Sequence, residues 1–208
     1  MTSANRFGVW IALVAWTAVC HVGCDRANPA NQSGPKPAGP AANAVIKIVT
    51  TTGMVRDIVR RVAGPRADVS GLIESGVDPH LFKPTRGDIK QLHDADVVFY
   101  SGLMLEGKMS EQFTQLQRAG KPVFAVTESL DKDSLRSPPD FEGHYDPHVW
   151  MDVKAWSQCV EHVAQSLATF DPPHADEYRA NAKSYREELA KLDAIRPREV
   201  LERIMGRH

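Results

Sequence analysis

The tripeptide Asp-Pro-His occurs twice, as Asp78-Pro79-His80 and as Asp146-Pro147-His148. With 15 Asp, 14 Pro and 8 His among 208 residues, a shuffled chain would hold only about 0.04 copies. Proline fixes its own φ and restricts the residue before it, so each loop presents its imidazole in a set direction. The aspartate can hold one ring nitrogen by a hydrogen bond and leave the other to coordinate a metal. Two such imidazoles supply half of a transition-metal site, and His80 and His148 are the predicted ligands. The other histidines, His21, His93, His144, His162, His174 and His208, have no such company. His93 and His162 fall within predicted helices. His144 is close enough to His148 to line the same loop, but it is not assigned as a ligand.

The elements that must position this pair alternate. Val45 to Thr50 is short and β-branched and predicts a first strand. Val55, Ile58, Val59 and Val62 follow at helical spacing, stopped by Gly64-Pro65. Val69 to Ile73 predicts a second strand, and Thr85-Arg86-Gly87-Asp88 resembles a capping box that opens a helix with Ile89 and Leu92 inward. Asp96 to Tyr100 predicts a third strand. A helix through Met109, Phe113 and Leu116 ends at Gly120, and Val123 to Val126 predicts the fourth strand. The order predicts an α/β fold of right-handed βαβ units around a four-stranded, mostly parallel sheet. Ligands of such sheets bind at the loops beyond the carboxyl ends of the strands, where both Asp-Pro-His segments fall. Two helices come last, divided by Asp171-Pro172-Pro173. The second carries Tyr178, Ala182, Tyr185, Leu189 and Leu192 on one face, needs a partner surface, and stops at Pro197.

Before the fold, an apolar run from Val9 to Val19 follows Arg6 and is too short to span a bilayer but suits a signal peptide. His21-Val22-Gly23-Cys24-Asp25 resembles a bacterial lipobox, with His21 where such motifs usually carry Leu. The resemblance implies cleavage before Cys24 and lipidation of its thiol. Asp25 to Asn43 is rich in Pro, Ala, Asn and Gly and reads as a flexible tether. The expected division is therefore a signal peptide over 1–23, a lipidated cysteine and tether over 24–44, and an α/β lobe over 45–170. A long linking helix over 171–196 and a short tail over 197–208 complete it. The net charge of −1 argues against a general nucleic-acid binder. Three cysteines, two of them near the N-terminus, make no disulfide scaffold.

Gly76-Val77-Asp78-Pro79-His80-Leu81-Phe82-Lys83-Pro84-Thr85 resembles the first metal-ligand segment of the TroA-like solute-binding proteins of zinc/manganese ABC importers. Ser101-Gly102-Leu103-Met104-Leu105-Glu106-Gly107-Lys108-Met109 is similar to that family's loop after the third strand. Asp146-Pro147-His148-Val149-Trp150-Met151-Asp152 is similar to its second ligand segment. The resemblance implies a Rossmann-like lobe joined to a second lobe by one long helix. It implies a divalent metal, manganese or zinc, held in the cleft, with His80 and His148 as the first lobe's ligands. It further implies an exported, membrane-anchored monomer, periplasmic or at the cell surface, that delivers metal to an ABC importer permease. The family's remaining ligands come from the second lobe, which residues 195–208 do not resemble, so the expectation is a chain truncated to the first lobe and its linking helix. The segment from Asp131 to Gly143 lacks the histidine-rich stretch of zinc-type members, which favours manganese by resemblance, whereas paired imidazoles favour zinc by affinity.

Three other readings compete. A truncated chain of this family could be a remnant without function. An exported metalloenzyme would need a third protein ligand beside His80 and His148, and no His-Glu-x-x-His signature supplies one. A surface adhesion lipoprotein could draw on Arg86-Gly87-Asp88, but that segment has a helix-capping explanation. Cys159, beside Trp156 and Val160, reads as a buried apolar residue.

Overall fold

Alternate residues of the first strand, β1 (Ile46–Thr50), enter opposite sides of a central sheet. Ile46 and Ile48 pack into one apolar cluster, and Val49 packs into a second one on the other face. The computed structural model describes residue 40, residues 44–141 and residues 143–195. The signal, Cys24, most of the tether and the segment after 195 lie outside these. Three more strands, β2 (Ala67–Gly71), β3 (Val97–Tyr100) and β4 (Val123–Ala125), complete a sheet of order β2-β1-β3-β4. Every pairing is parallel, with Ile46 opposite Ala67, Ile48 opposite Val97 and Val98 opposite Val123.

Helices cover both faces, as an all-parallel sheet requires. Helices α1 (Gly53–Ala63), α4 (Val153–Phe170) and α5 (Ala175–Asp193) bury one face through Val55, Val59, Val160, Val163 and Tyr178. Helices α2 (Arg86–Asp94) and α3 (Ser110–Arg118) bury the other through Leu92, Phe113 and Leu116. Local chemistry sets the helix starts. Thr52 caps α1 by accepting from the Val55 N–H. The predicted capping box at α2 is present, with Thr85 and Asp88 each accepting the other's backbone N–H. Asp152 caps α4 through the N–H groups of Lys154 and Ala155.

Two expectations shift. The second strand pairs from Ala67 rather than Val69, because its ladder starts opposite Ile46; Leu72 and Ile73 continue it with single bonds to the carbonyls of Thr50 and Thr51. The last helix finds its partner surface within the chain. It folds back on α4 and reaches α1, where Asn181 donates to the Val62 carbonyl and Tyr185 to Asp57. The corner that turns the chain is built on Asp171, whose side chain is 1% exposed. Its Oδ2 accepts from Tyr178 Oη at 2.7 Å and from Arg66 at 3.0 Å, and His174 Nδ1 lies 3.0 Å away. Burial alone would push this carboxyl up, but the bonds from Tyr178, Arg66 and His174 outweigh it and hold it below the usual carboxylate range.

Candidate metal centre

Because β2 and β4 are the two edges of the sheet, the loops that follow them start at opposite sides of its carboxyl end. Both loops turn inward. Their histidines, His80 and His148, meet with ring centroids 5.5 Å apart and planes inclined by 58°.

The two Asp-Pro-His segments share a backbone turn but not a ring contact. Asp78 accepts from the backbone N–H of His80 at 2.9 Å, and Asp146 does the same for His148 at 3.0 Å. Asp146 also lies 2.7 Å from Nδ1 of His148. The backbone N–H of His148 is the main influence on Asp146; with the ring, it outweighs burial and keeps the carboxyl below its ordinary value. An ionised carboxylate only accepts, so Nδ1 of His148 carries the proton and Nε2 keeps its lone pair for a metal. The ring of His148 is further held by the edges of Trp150 at 5.2 Å and Phe141 at 6.3 Å. Its side chain remains 39% exposed, open to an incoming ion.

Beside His148 lies a cavity of about 540 Å³ whose wall includes Arg136, Asp146, Asp152 and Asp193. Its carboxylates are committed elsewhere: Asp146 to His148, Asp152 to the start of α4, and Asp193 to Lys154 at 3.8 Å. Among the described residues, no group of three His, Cys, Asp or Glu side chains is arranged to hold a metal. Of the other described histidines, His93 and His144 are exposed, and Ser137 bonds the His144 backbone carbonyl. His162 faces Glu128 at 4.0 Å, and His174 belongs to the Asp171 corner. The predicted lipidation site, Cys24, lies outside the described residues.

Glu106 is the residue whose role sequence reasoning did not reach. The order in which strands are added to the sheet reverses between β1 and β3, which in doubly wound sheets opens a ligand crevice. Here that crevice is occupied by the Glu106 carboxylate, only 2% exposed. It accepts from Thr51 Oγ1 at 2.5 Å and from the N–H groups of Ser101 and Gly102 at 2.8 and 3.3 Å, tying the two loops together. Burial pushes its carboxyl up against the pull of these bonds. The loop it anchors is wound in the left-handed region at Gly102, Leu103 and Met104, with φ of 95°, 50° and 64°. The only hint in the sequence is one acid closing the apolar run Leu103-Met104-Leu105.

Residues 48–203 match the family described as the periplasmic component A of the zinc-uptake complex, ZnuA. The chain belongs to the ZnuA family. It is 39% identical over 170 residues to the manganese-binding lipoprotein MntA of Bacillus subtilis, covering 80% of this chain and 54% of that protein. It is 41% identical over 154 residues to the zinc-binding protein TroA of Treponema pallidum, covering 74% of this chain and 49% of TroA. The solved structure of that TroA superposes with a TM-score of 0.68 at 41% identity, over 72% of this chain and 53% of TroA. The chain thus spans about half the length of the curated relatives it matches. The ZnuA family is one of uptake components and not of enzymes, which sets the metalloenzyme reading aside.

Proposed function

We propose that this chain captures a divalent transition metal, manganese or zinc, outside the cytoplasm for an ABC-type importer, with His80 and His148 as its imidazole ligands. The observation that carries the reading is the meeting of two rigidly presented imidazoles from loops at opposite sheet edges. The relatives named for manganese and zinc binding support the cargo class. The borderline softness of two imidazoles suits zinc more than manganese at equal concentration. The receiving partner is the importer's permease. A lipid on Cys24 would hold the lobe at the membrane and raise its local concentration at that permease. Metal capture by neutral imidazoles needs no covalent step; the protein contributes fixed donors and their orientation.

Calorimetric titration of the full chain with zinc and with manganese tests the reading, run beside the His80→Ala and His148→Ala variants. Binding of at least one of the two metals, abolished or strongly weakened in both variants, is expected. Unchanged binding in either variant would remove that histidine from the site.

A further inference from the structure

Aiming an imidazole at a metal takes two constraints, one on its tautomer and one on rotation about the Cβ–Cγ bond. Asp146 supplies the first at Nδ1 of His148. The second cannot come from the rotamer itself, because the terminal torsion of a histidine has a broad well. Trp150 stands two residues beyond His148, in a short 3-10 turn over Val149–Met151. The turn is closed by the Met151 N–H on the His148 carbonyl at 3.1 Å and by the Asp152 N–H on the Val149 carbonyl at 3.0 Å. Asp152 in turn caps α4, so the turn is tied to a long buried helix. The half-buried Trp150 packs on the core cluster shared by α1, α4 and α5. Its ring meets the His148 ring at 5.2 Å with the planes inclined by 70°. Phe141 reaches the same imidazole from the preceding loop, at 6.3 Å and 71°. The base of that loop is closed by the Asp146 N–H on the Arg136 carbonyl at 2.7 Å. Both ring contacts lie within the separations at which near-perpendicular aromatic pairs attract.

We infer that Trp150 and Phe141 are positioning residues that clamp the His148 ring and thereby bias the site toward zinc over manganese. The inference rests on the proposed reading of His148 as a ligand. With tautomer and rotation both set, Nε2 points one way before an ion arrives, and little side-chain freedom remains to be lost on binding. That gain goes chiefly to the ion that draws most on the imidazole. Zinc makes a short bond of about 2.0–2.1 Å to an imidazole nitrogen. Manganese stands lowest in the affinity order for such donors and is suited by carboxylate, carbonyl and water oxygens. A misdirected imidazole therefore costs manganese little, since that bond is a small share of its binding, and costs zinc more. The clamp acts on selectivity as well as on affinity.

Competition titrations of the full chain with zinc chloride and with manganese chloride test this, on the wild type and on Trp150→Ala, Trp150→Phe and Phe141→Ala. Trp150→Ala should lower zinc affinity by roughly 2- to 10-fold, the cost of immobilising one side chain on binding. Manganese affinity should change less, so the zinc-to-manganese ratio falls. Trp150→Phe, which keeps a ring against His148, should regain most of the ratio. Phe141→Ala alters a half-buried loop side chain, so it should fold normally and lower the ratio in the same direction; thermal melting checks each variant. Equal losses for the two metals in folded variants would mark a merely structural role and overturn the inference, as would unchanged zinc affinity. In either case, loss of binding in His148→Ala would leave the ligand assignment standing. Zinc binding untouched in His148→Ala would remove the ligand assignment and the clamp together.

Discussion

The unequal roles of Asp146 and Asp78 give a sharp test of how the candidate site works. Both carboxylates bond the backbone of the following histidine, but Asp146 alone reaches an imidazole, at 2.7 Å from Nδ1 of His148. Removing a carboxylate that orients a metal-bound histidine typically lowers affinity by about 10- to 100-fold, or about 1.4–2.7 kcal/mol. Asp146→Ala should show that loss for zinc, measured by competition against a chromophoric chelator. Asp146→Asn, which keeps an acceptor but not the charge, should fall between it and the wild type. Asp78→Ala removes one exposed hydrogen bond to a backbone N–H. At about 0.5–1 kcal/mol, such a bond corresponds to a loss of roughly 2- to 5-fold. Thermal melting would confirm that the variants are folded. Equal losses in Asp78→Ala and Asp146→Ala, or a larger one in Asp78→Ala, would refute orientation of the His148 ring as the source of affinity.

Gly102→Ala should destabilise the fold by about 2–5 kcal/mol in denaturant titration, from positive-φ strain and overpacking together. Its Cβ would sit 2.4 Å from Thr127 Oγ1 and 3.0 Å from the Ala125 Cβ. Gly120→Ala, also at positive φ but facing open space, should cost only about 1–2 kcal/mol. Asp171→Ala should cost about 3–5 kcal/mol, since it strands the buried groups around it. The Asp171 carboxyl is held below its usual range, so its contribution is present above the unfolded value of about 3.9 and is lost as pH falls through the lower folded value. Asp171→Asn should accordingly flatten the acid limb of a stability-against-pH curve, and an unchanged limb would argue against the cluster. Burial pushes the Cys159 thiol up to about 12. Peptide mapping should therefore find Cys159 unmodified by iodoacetamide in the native chain and labelled in denaturant, whereas rapid native labelling would show α4 opening.

The two Asp-Pro-His segments were legible because proline and histidine are scarce enough for a repeated tripeptide to stand out. The helix start at Thr85 was legible because capping is a contact between residues three apart. Long-range chemistry was not. Asp171 read as part of a helix break, yet its partners include Arg66, 105 positions away. Glu106 read as one letter of a family-like loop, while its partner Thr51 comes from the end of another strand. The edge of β2 slipped by two residues because pairing register is decided by β1. For the last helix the sequence shows a one-sided apolar stripe, which states that a surface is needed and not where it lies.

The placement of α5 across α1 also has a consequence in time. Arg61 meets Glu188 and Asp57 meets Tyr185 across 127 and 128 positions of chain. At ribosomal rates of 5–20 residues per second, roughly 6–25 s separate the emergence of these partners. During that interval the apolar stripe of α1 can be covered only in part, by β1, β2 and β3 and by whatever of α4 has appeared. Helix α1, the earliest helix among the described residues, is among the last to be closed over, and the described sheet-and-helix layer is complete only when α5 arrives.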